Sequence, residues 1–155
     1  MEFGFHFRNV ENGRAGVLVL GVCVDQAAKA RAIIALDRGL DGLLKRCAKE
    51  QDFHGKPRER LVVHTQGRAP FERVAIVGVG EEKKIDAAAH VQFAADARRL
   101  AEEFSARDVL ISLSVGYRTW SVDSQTAGLW ARGASLGGYR FETYKSKPGG
   151  PRTVK

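Results

Sequence analysis

Metal binding is the first chemistry to consider, because the sequence contains four histidines and two cysteines. Zinc sites are usually recognisable by closely spaced pairs, such as two histidines four residues apart or a Cys-x-x-Cys. No such pair occurs among His6, His54, His64, His90, Cys23 and Cys47. We therefore expect no metal ligands, no cofactor-binding residues and no bound cofactor in this chain.

A glycine-containing segment, Val77-Gly78-Val79-Gly80, could in principle hold a phosphate group. Phosphate loops need a further glycine at a set spacing or a Gly-Lys-Ser/Thr, followed by a helix N-terminus that attracts the anion. Here Glu81 and Glu82 follow instead and would repel phosphate. The glycines are better explained as a tight exit from a buried strand.

Hydrolytic chemistry is not indicated either. No serine lies in a Gly-x-Ser-x-Gly, and Ser112 and Ser114 alternate with apolar residues as in an ordinary strand. The acid pairs Glu81-Glu82 and Glu102-Glu103 consist of adjacent residues, which point to different sides and indicate solvated surface. We expect no catalytic residue in this sequence.

Aromatic and basic residues alternate near the C-terminus, where Trp130, Tyr139, Phe141 and Tyr144 are interleaved with Arg140 and Lys145. Such a segment can stack on and neutralise single-stranded nucleic acid. It can also dock on a neighbouring domain. We favour docking, because the segment leads directly into the Pro/Gly-rich stretch 145–155.

The composition is that of one folded domain, since the 155 residues include 44% hydrophobic and 28% charged residues. No apolar run is long enough to cross a bilayer, and no secretory signal precedes the first strand. We expect a cytoplasmic protein with reduced cysteines and no membrane partner. The net charge of +7 raises the question of nucleic acid, but the basic residues are scattered along the sequence, so we expect no such partner.

Four apolar runs predict core strands, at residues 16–24, 61–64, 74–79 and 109–113. The alternating residues 2–8 predict an edge strand.

Helices are predicted over 35–50, after a cap at Asp86, and from Ser121 or Asp123 to Gly137-Gly138, while residues 25–34 are ambiguous. In the second helix, we expect Arg98, Arg99, Glu102 and Glu103 to face water. The order predicts an α/β fold with a mixed sheet of about five or more strands between helices. Its predicted core includes Leu40, Leu44, Phe93, Leu100 and Ile111.

The C-terminal segment resembles the inter-domain junction of leucyl (cytosol) aminopeptidases. In that family a pattern of the type E-G-x-x-L-G-x-Y-x-F-x-x-Y-K-S leads into the catalytic domain, and it is matched here at Leu136-Gly137, Tyr139-Arg140-Phe141 and Tyr144-Lys145-Ser146. Residues 52–56 and 73–80 agree with the family in order and spacing. The opening of the pattern differs, because residues 128–132 read Gly-Leu-Trp-Ala-Arg.

The resemblance implies a macro-domain-like three-layer sandwich at residues 1–144 and a linker at 145–155 toward a catalytic aminopeptidase domain. That other half would carry two divalent metals such as zinc or manganese, within runs that do not occur in this sequence. The resemblance thus implies a non-catalytic N-terminal domain that supports assembly of a homo-oligomer and access to the active site. Its junction residues would be Tyr139, Arg140, Phe141, Tyr144 and Lys145.

Two other functions stay open. A free-standing macro-like module could bind a small nucleotide-type ligand, although the sequence lacks an Asn-rich motif after a core strand. A nucleic-acid-binding module would need its basic residues to be clustered in space.

Overall fold

Among the described residues, five strands form a sheet in the order β2-β3-β1-β4-β5. The computed structural model describes residues 13–115, 118–119 and 122–138. The strands are β1 (Ala15–Cys23), β2 (Arg60–His64), β3 (Phe71–Gly80), β4 (Val109–Val115) and the short β5 (Arg118–Thr119). The four predicted core strands are confirmed, and the predicted edge strand at 2–8 lies outside the described residues.

The sheet is mixed, as predicted. Central β1 pairs in parallel with β3 on one side and with β4 on the other. The outer pairs β2–β3 and β4–β5 are antiparallel. Because β1 is enclosed on both edges and both faces, its sequence is almost continuously apolar.

In the part of the chain that the structure describes, four helices cover the sheet: α1 (Arg31–Gly39), α2 (Leu43–Glu50), α3 (Ala87–Glu103) and α4 (Ser124–Gly137). Short 3₁₀ turns at Ala27–Lys29 and Glu82–Lys84 precede α1 and α3. The side chain of Asp86 accepts a hydrogen bond from Ala89 N, and that of Asp123 accepts one from Thr126 N. Both predicted helix starts, and the end of α4 at Gly137-Gly138, are confirmed.

The single helix predicted over 35–50 is wrong. The chain breaks after Gly39, and Asp41 and Gly42 both adopt positive φ angles, 53° and 76°. The buried carboxylate of Asp37 explains how α2 can restart, because its Oδ1 accepts hydrogen bonds from Leu44 N at 2.8 Å and Lys45 N at 3.3 Å. The segment 25–34, ambiguous in sequence, contains the 3₁₀ turn and the start of α1.

The core lies in two layers, one on each face of β1. Leu18, Leu20 and Val22 pack with α1 and α2, whereas Val17 and Val19 pack with α3 and α4. The result is a three-layer sandwich, as expected.

Four of the five predicted core residues, Leu40, Leu44, Phe93 and Leu100, are buried. Ile111 is only half-buried. It lies on β4, where β5 pairs only with Ser114 and Val115 and so leaves the outer side of Ile111 without a described neighbouring strand.

The prediction that Arg98 and Glu102 face water is also wrong. Arg98 Nη2 lies 2.9 Å from Glu102 Oε1, and the two side chains are only 11% and 10% exposed. The reason is the close packing of α4 on this side of α3. A Cβ atom on Gly138 would lie 3.2 Å from Arg98 Nε. The neighbouring Arg99 and Glu103 are exposed, as predicted.

Candidate functional site

The carboxyl ends of β1 and β3 define the place where an α/β protein would be expected to bind a ligand. These strands are adjacent and parallel, and the helices that follow them, α1 and α3, lie on opposite faces of the sheet. Such a reversal opens a crevice at the strand ends. This crevice is therefore the first candidate site.

The crevice is filled by the chain's own loop, residues 53–59. Asp25 N donates a hydrogen bond to His54 O at 2.8 Å, and Gly80 N donates one to Gly55 O at 3.1 Å. A Cβ atom on Gly78 would overlap the backbone of Gly55 and Lys56. The glycines at 78 and 80 thus allow the loop to pack on the strand end, which agrees with their interpretation as structural.

Glu59 holds this loop closed. Its Oε2 accepts hydrogen bonds from His54 N at 2.9 Å and from Lys56 N at 3.0 Å. Desolvation raises the pKa of the Glu59 carboxyl, but the backbone hydrogen bonds from His54, Lys56 and Gly55 outweigh it and hold that pKa below its usual value. The carboxylate thus satisfies two backbone donors of the turn.

His54 lies at the outer side of the loop between two carboxylates. Its Nδ1 is 3.4 Å from Asp25 Oδ1, and its Nε2 is 3.1 Å from Asp52 Oδ1. Because the carboxylates contact opposite nitrogens of the ring, the three groups do not converge on one point. Within the described ranges, no group of three or more His, Cys, Asp or Glu could hold a metal ion.

A cavity of about 530 Å³ opens beside His54, on the α1 and α2 side of the sheet. Its lining includes Ile33, Leu44 and Ile76, whose side chains are nearly fully buried in the core. Its polar lining residues come from the loops and from α2. They are Asp25, Asp52, His54, Lys45 and Lys49.

The other histidines have different surroundings. His90 is buried under α4, where its Nδ1 accepts a hydrogen bond from Trp130 Nε1 at 3.1 Å. Burial lowers the pKa of His90, and the charges of Asp123 and Asp86 oppose this shift only in part. His64 is exposed at the end of β2, and its Nδ1 accepts a hydrogen bond from Gln66 N. His6 lies outside the described residues.

The cysteines are both free, as predicted. Burial, together with the charge of Glu82, raises the pKa of the Cys23 thiol to about 11. A thiol that stays protonated at neutral pH is a poor nucleophile, so Cys23 serves packing.

The basic residues are less evenly distributed than the sequence suggests. The layer formed by the first 3₁₀ turn, α1 and α2 carries six exposed basic side chains: Lys29, Arg31, Arg38, Lys45, Arg46 and Lys49. Its exposed acids are Asp41 and Glu50. The sequence did not reveal this grouping, because the packing of α1 and α2 on the sheet determines which charged side chains lie on the same surface.

The predicted junction residues Tyr139, Arg140, Phe141, Tyr144 and Lys145 lie outside the described residues, as does the predicted boundary at 144/145. Trp130, the first aromatic residue of that cluster, is buried in α4 against Phe93, with ring centroids 5.7 Å apart. It therefore belongs to the core. No helix among the described residues is both long and apolar enough to cross a membrane.

The fold and these sites define a class: a three-layer α/β domain whose strand-end crevice is closed by its own loop. Residues 19–148 match the model of the cytosol aminopeptidase family, N-terminal domain. The chain therefore belongs to this family and corresponds to its N-terminal domain.

Individual relatives agree. A probable cytosol aminopeptidase of Geobacter sulfurreducens is 27% identical over 85% of this chain and 26% of its own length. One from Geobacter sp. (strain M21) is 32% identical over 84% of this chain and 25% of its own length. A mutant of tomato leucine aminopeptidase has the same fold, with a TM-score of 0.73 at 22% identity over 90% of this chain and 28% of that one. The chain thus spans about a quarter of the length of these relatives.

Proposed function

We propose that this chain is the non-catalytic N-terminal domain of a cytoplasmic, metal-dependent aminopeptidase, where it supports assembly of the homo-oligomer and access to the active site. The observation that carries the proposal is the match of residues 19–148 to the N-terminal domain of the family. The two divalent metal ions and the residues that activate water belong, in this proposal, to a separate catalytic domain.

The described residues do not fit such a metal pair. Metal-assisted peptide hydrolysis needs several convergent carboxylates and a bound water made nucleophilic by the ions. The nearest approach is His54 with Asp25 and Asp52, whose carboxylates lie on opposite sides of the imidazole. We therefore derive no catalytic step from this domain.

The end of α4 supports a contact with the domain that follows. Leu136 is 53% exposed, which is unusual for a large aliphatic side chain in this fold. Arg98 lies against Gly138 just after α4, and its buried Nη1 has no hydrogen-bond partner among the described residues, although the same guanidinium pairs with Glu102. An apolar contact on Leu136 and an acceptor for Arg98 would satisfy both groups.

A nucleotide-binding function has no comparable support. The crevice that would accept a phosphate is occupied by residues 53–59, with backbone hydrogen bonds to Asp25 and Gly80. Opening it would break those bonds and those of Glu59.

The test is a domain replacement in the Geobacter sulfurreducens relative. Residues 1–148 of this chain replace the aligned N-terminal part, and a second variant lacks that part entirely. Light scattering measures the oligomer, and a leucine anilide assay with manganese or zinc measures hydrolysis. We expect the truncated variant to lose assembly and turnover, the replacement to restore both, and the 155-residue chain alone to show no turnover.

Leu136→Asp in the replacement should reduce assembly, whereas Gln125→Asp, at an exposed position at the other end of α4, should not. Chelator-sensitive turnover by the isolated chain would contradict the proposal. So would a truncated variant that assembles and hydrolyses as well as the complete protein.

A further inference from the structure

The hydrogen bond between His90 on α3 and Trp130 on α4 is not used by the proposed function. Both side chains are buried, and Nε1 of the indole lies 3.1 Å from Nδ1 of the imidazole. The indole N–H can only donate, so Nδ1 must accept with a lone pair and the ring must be neutral. Protonation adds a hydrogen to that same Nδ1. It would leave two donors facing each other in a buried place.

This hydrogen bond holds the first half of α4, which ends at Trp130, on α3. The buried residues of that half are Thr126 and Trp130. Trp130 packs edge-on against Phe93, and among the described residues of α4 it alone belongs to the hydrophobic core cluster on this face of the sheet. The second half of α4 is held by the close backbone approach of Gly133 and Gly137 to α3. Loss of the Trp130 contact therefore loosens the first half and leaves the contacts of the second in place.

Two carboxylates act on the His90 ring, one from the start of each helix. Asp86 caps α3 and Asp123 caps α4, and both charges favour the protonated ring. Burial has the larger effect, so the pKa of His90 is lower than its ordinary value. The folded arrangement thus favours a neutral ring at neutral pH, and protonation requires acidic conditions.

We propose that the His90–Trp130 contact is a pH-sensitive switch: when a proton from solvent binds Nδ1 of His90, the indole can no longer donate to it, and residues 124–130 of α4 separate from α3. The sheet and the second half of α4 stay folded. This inference goes beyond the proposed function. Only its consequence for a domain that follows α4 would rest on that function.

Proton binding determines the direction and the size of the effect. Once residues 124–130 have separated from α3, His90 is in contact with water and regains its ordinary pKa of about 6.5. The open form therefore binds more protons than the closed form as the pH falls below this value. Opening becomes more frequent by about tenfold for each pKa unit that separates the two forms.

The experiment is native-state hydrogen exchange of the ¹⁵N-labelled 155-residue chain from about pH 7.5 to about pH 5, with each rate compared with that of an unfolded chain at the same pH. The indole N–H of Trp130 is the direct probe, and its signal is identified by its absence from Trp130→Phe. We expect its protection from exchange to fall severalfold as the pH decreases below about 6.5. The amides of Leu18 and Leu20 in central β1 report global unfolding.

A low concentration of urea separates local from global opening. Urea accelerates exchange according to the surface area that an opening exposes. We expect it to accelerate exchange strongly at Leu18 and Leu20 but only slightly at the Trp130 indole, because separation of residues 124–130 exposes much less surface than unfolding of the domain.

Three substitutions assign the effect to His90. In His90→Gln the side-chain oxygen can accept the indole N–H but is not protonated, so protection should no longer depend on pH. His64→Gln, at an exposed position, should leave the pH dependence unchanged. Asp123→Asn retains a good capping residue but removes a charge that raises the pKa of His90, so the loss of protection should be larger and extend to lower pH. If His90→Gln does not fold, Asp123→Asn still tests the proposal.

The proposal is overturned if the Trp130 indole has the same protection at both ends of this pH range, or if His90→Gln has the pH dependence of the unmodified chain. It is equally overturned if Asp123→Asn leaves that dependence unchanged. Urea that accelerates exchange of the indole as strongly as that of Leu18 would show that the opening is global, and would also overturn it. None of these outcomes affects the domain-replacement test.

Discussion

The buried hydrogen bond from Trp130 to His90 connects α4 to α3. Removing the indole N–H leaves the buried Nδ1 acceptor of His90 without this donor and a small space beside Phe93. We expect Trp130→Phe to lower the free energy of unfolding by about 1–3 kcal/mol. Urea unfolding followed by circular dichroism measures this, and an unchanged midpoint would show that the bond adds nothing to stability.

Protonation of His90 should act on the same contact. Its pKa in the folded protein is below the ordinary 6.5, so the unfolded chain binds more protons between those two values. Stability is therefore full above about pH 6.5 and falls as the pH decreases through this window. Unfolding midpoints at several pH values test this. His90→Gln should reduce the slope, while His64→Gln, at an exposed position, should retain it.

Glu59 gives a second pH dependence, at lower pH. Because its pKa is held down in the folded state, its contribution is present above the ordinary pKa of a carboxyl and is lost as the pH falls through the folded value. We expect Glu59→Gln to lower the thermal midpoint at pH 7 and to speed amide exchange at His54 and Lys56. Glu72→Gln, at an exposed position of β3, should change neither. Equal protection of the His54 and Lys56 amides from exchange in Glu59→Gln and Glu72→Gln would exclude this role for Glu59.

At the scale of elements, α3 and α4 owe their close approach to two glycines. A Cβ atom on Gly133 would overlap Val91 O, and one on Gly137 would lie 2.5 Å from Ala95 O. We expect Gly133→Ala to destabilise the fold by about 1–3 kcal/mol, because the helices must separate. Gly128→Ala is the matched control on the same helix, since nothing lies within 4 Å of its Cβ position. It should stabilise by about 0.5–1 kcal/mol. Chemical denaturation of both variants measures the predicted decrease and increase in the free energy of unfolding.

The strands and helices were largely predictable wherever burial produces a recognisable spacing of apolar residues in the sequence. Strands β1 and β3 are enclosed on both faces, so their apolar runs stand out, and Asp86 and Asp123 are side chains that cap helices well. The α1–α2 break was not predicted, because Leu36, Leu40 and Leu44 continue the helical spacing across it. Asp41-Gly42, a typical turn pair, was the available signal.

The candidate cavity was harder to predict than the elements. Asp52 and His54 are close in sequence, but Asp25 reaches them only because the loop 53–59 folds over the end of β1. Likewise, the burial of Arg98 and Glu102 depends on where α4 packs. Contacts between residues so far apart in sequence depend on the topology of the fold, and a local sequence pattern does not predict them.

For the molecule as a whole, the grouped basic residues on α1 and α2 can be tested against nucleic acid. Phosphate contacts alone give weak, salt-dependent affinity, with a Kd of about 1–100 µM at physiological salt. We expect any DNA binding to stay within this range, to be indifferent to sequence and to weaken steeply with added salt. Arg38→Gln combined with Arg46→Gln should weaken it further, whereas Lys83→Gln, outside that layer, should have less effect. Sequence-specific, sub-micromolar binding in fluorescence anisotropy would contradict this prediction.

The central position of β1 also has a consequence for biosynthesis. This strand is synthesised well before its partners: Ala15 pairs with Phe71, and Val17 pairs with Val109. Until both arrive, an apolar segment with two unsatisfied edges is exposed in the nascent chain, and contacts so distant in sequence form slowly. The domain therefore completes its core only after β4 has been synthesised, and until then the apolar β1 lacks both of its described neighbours.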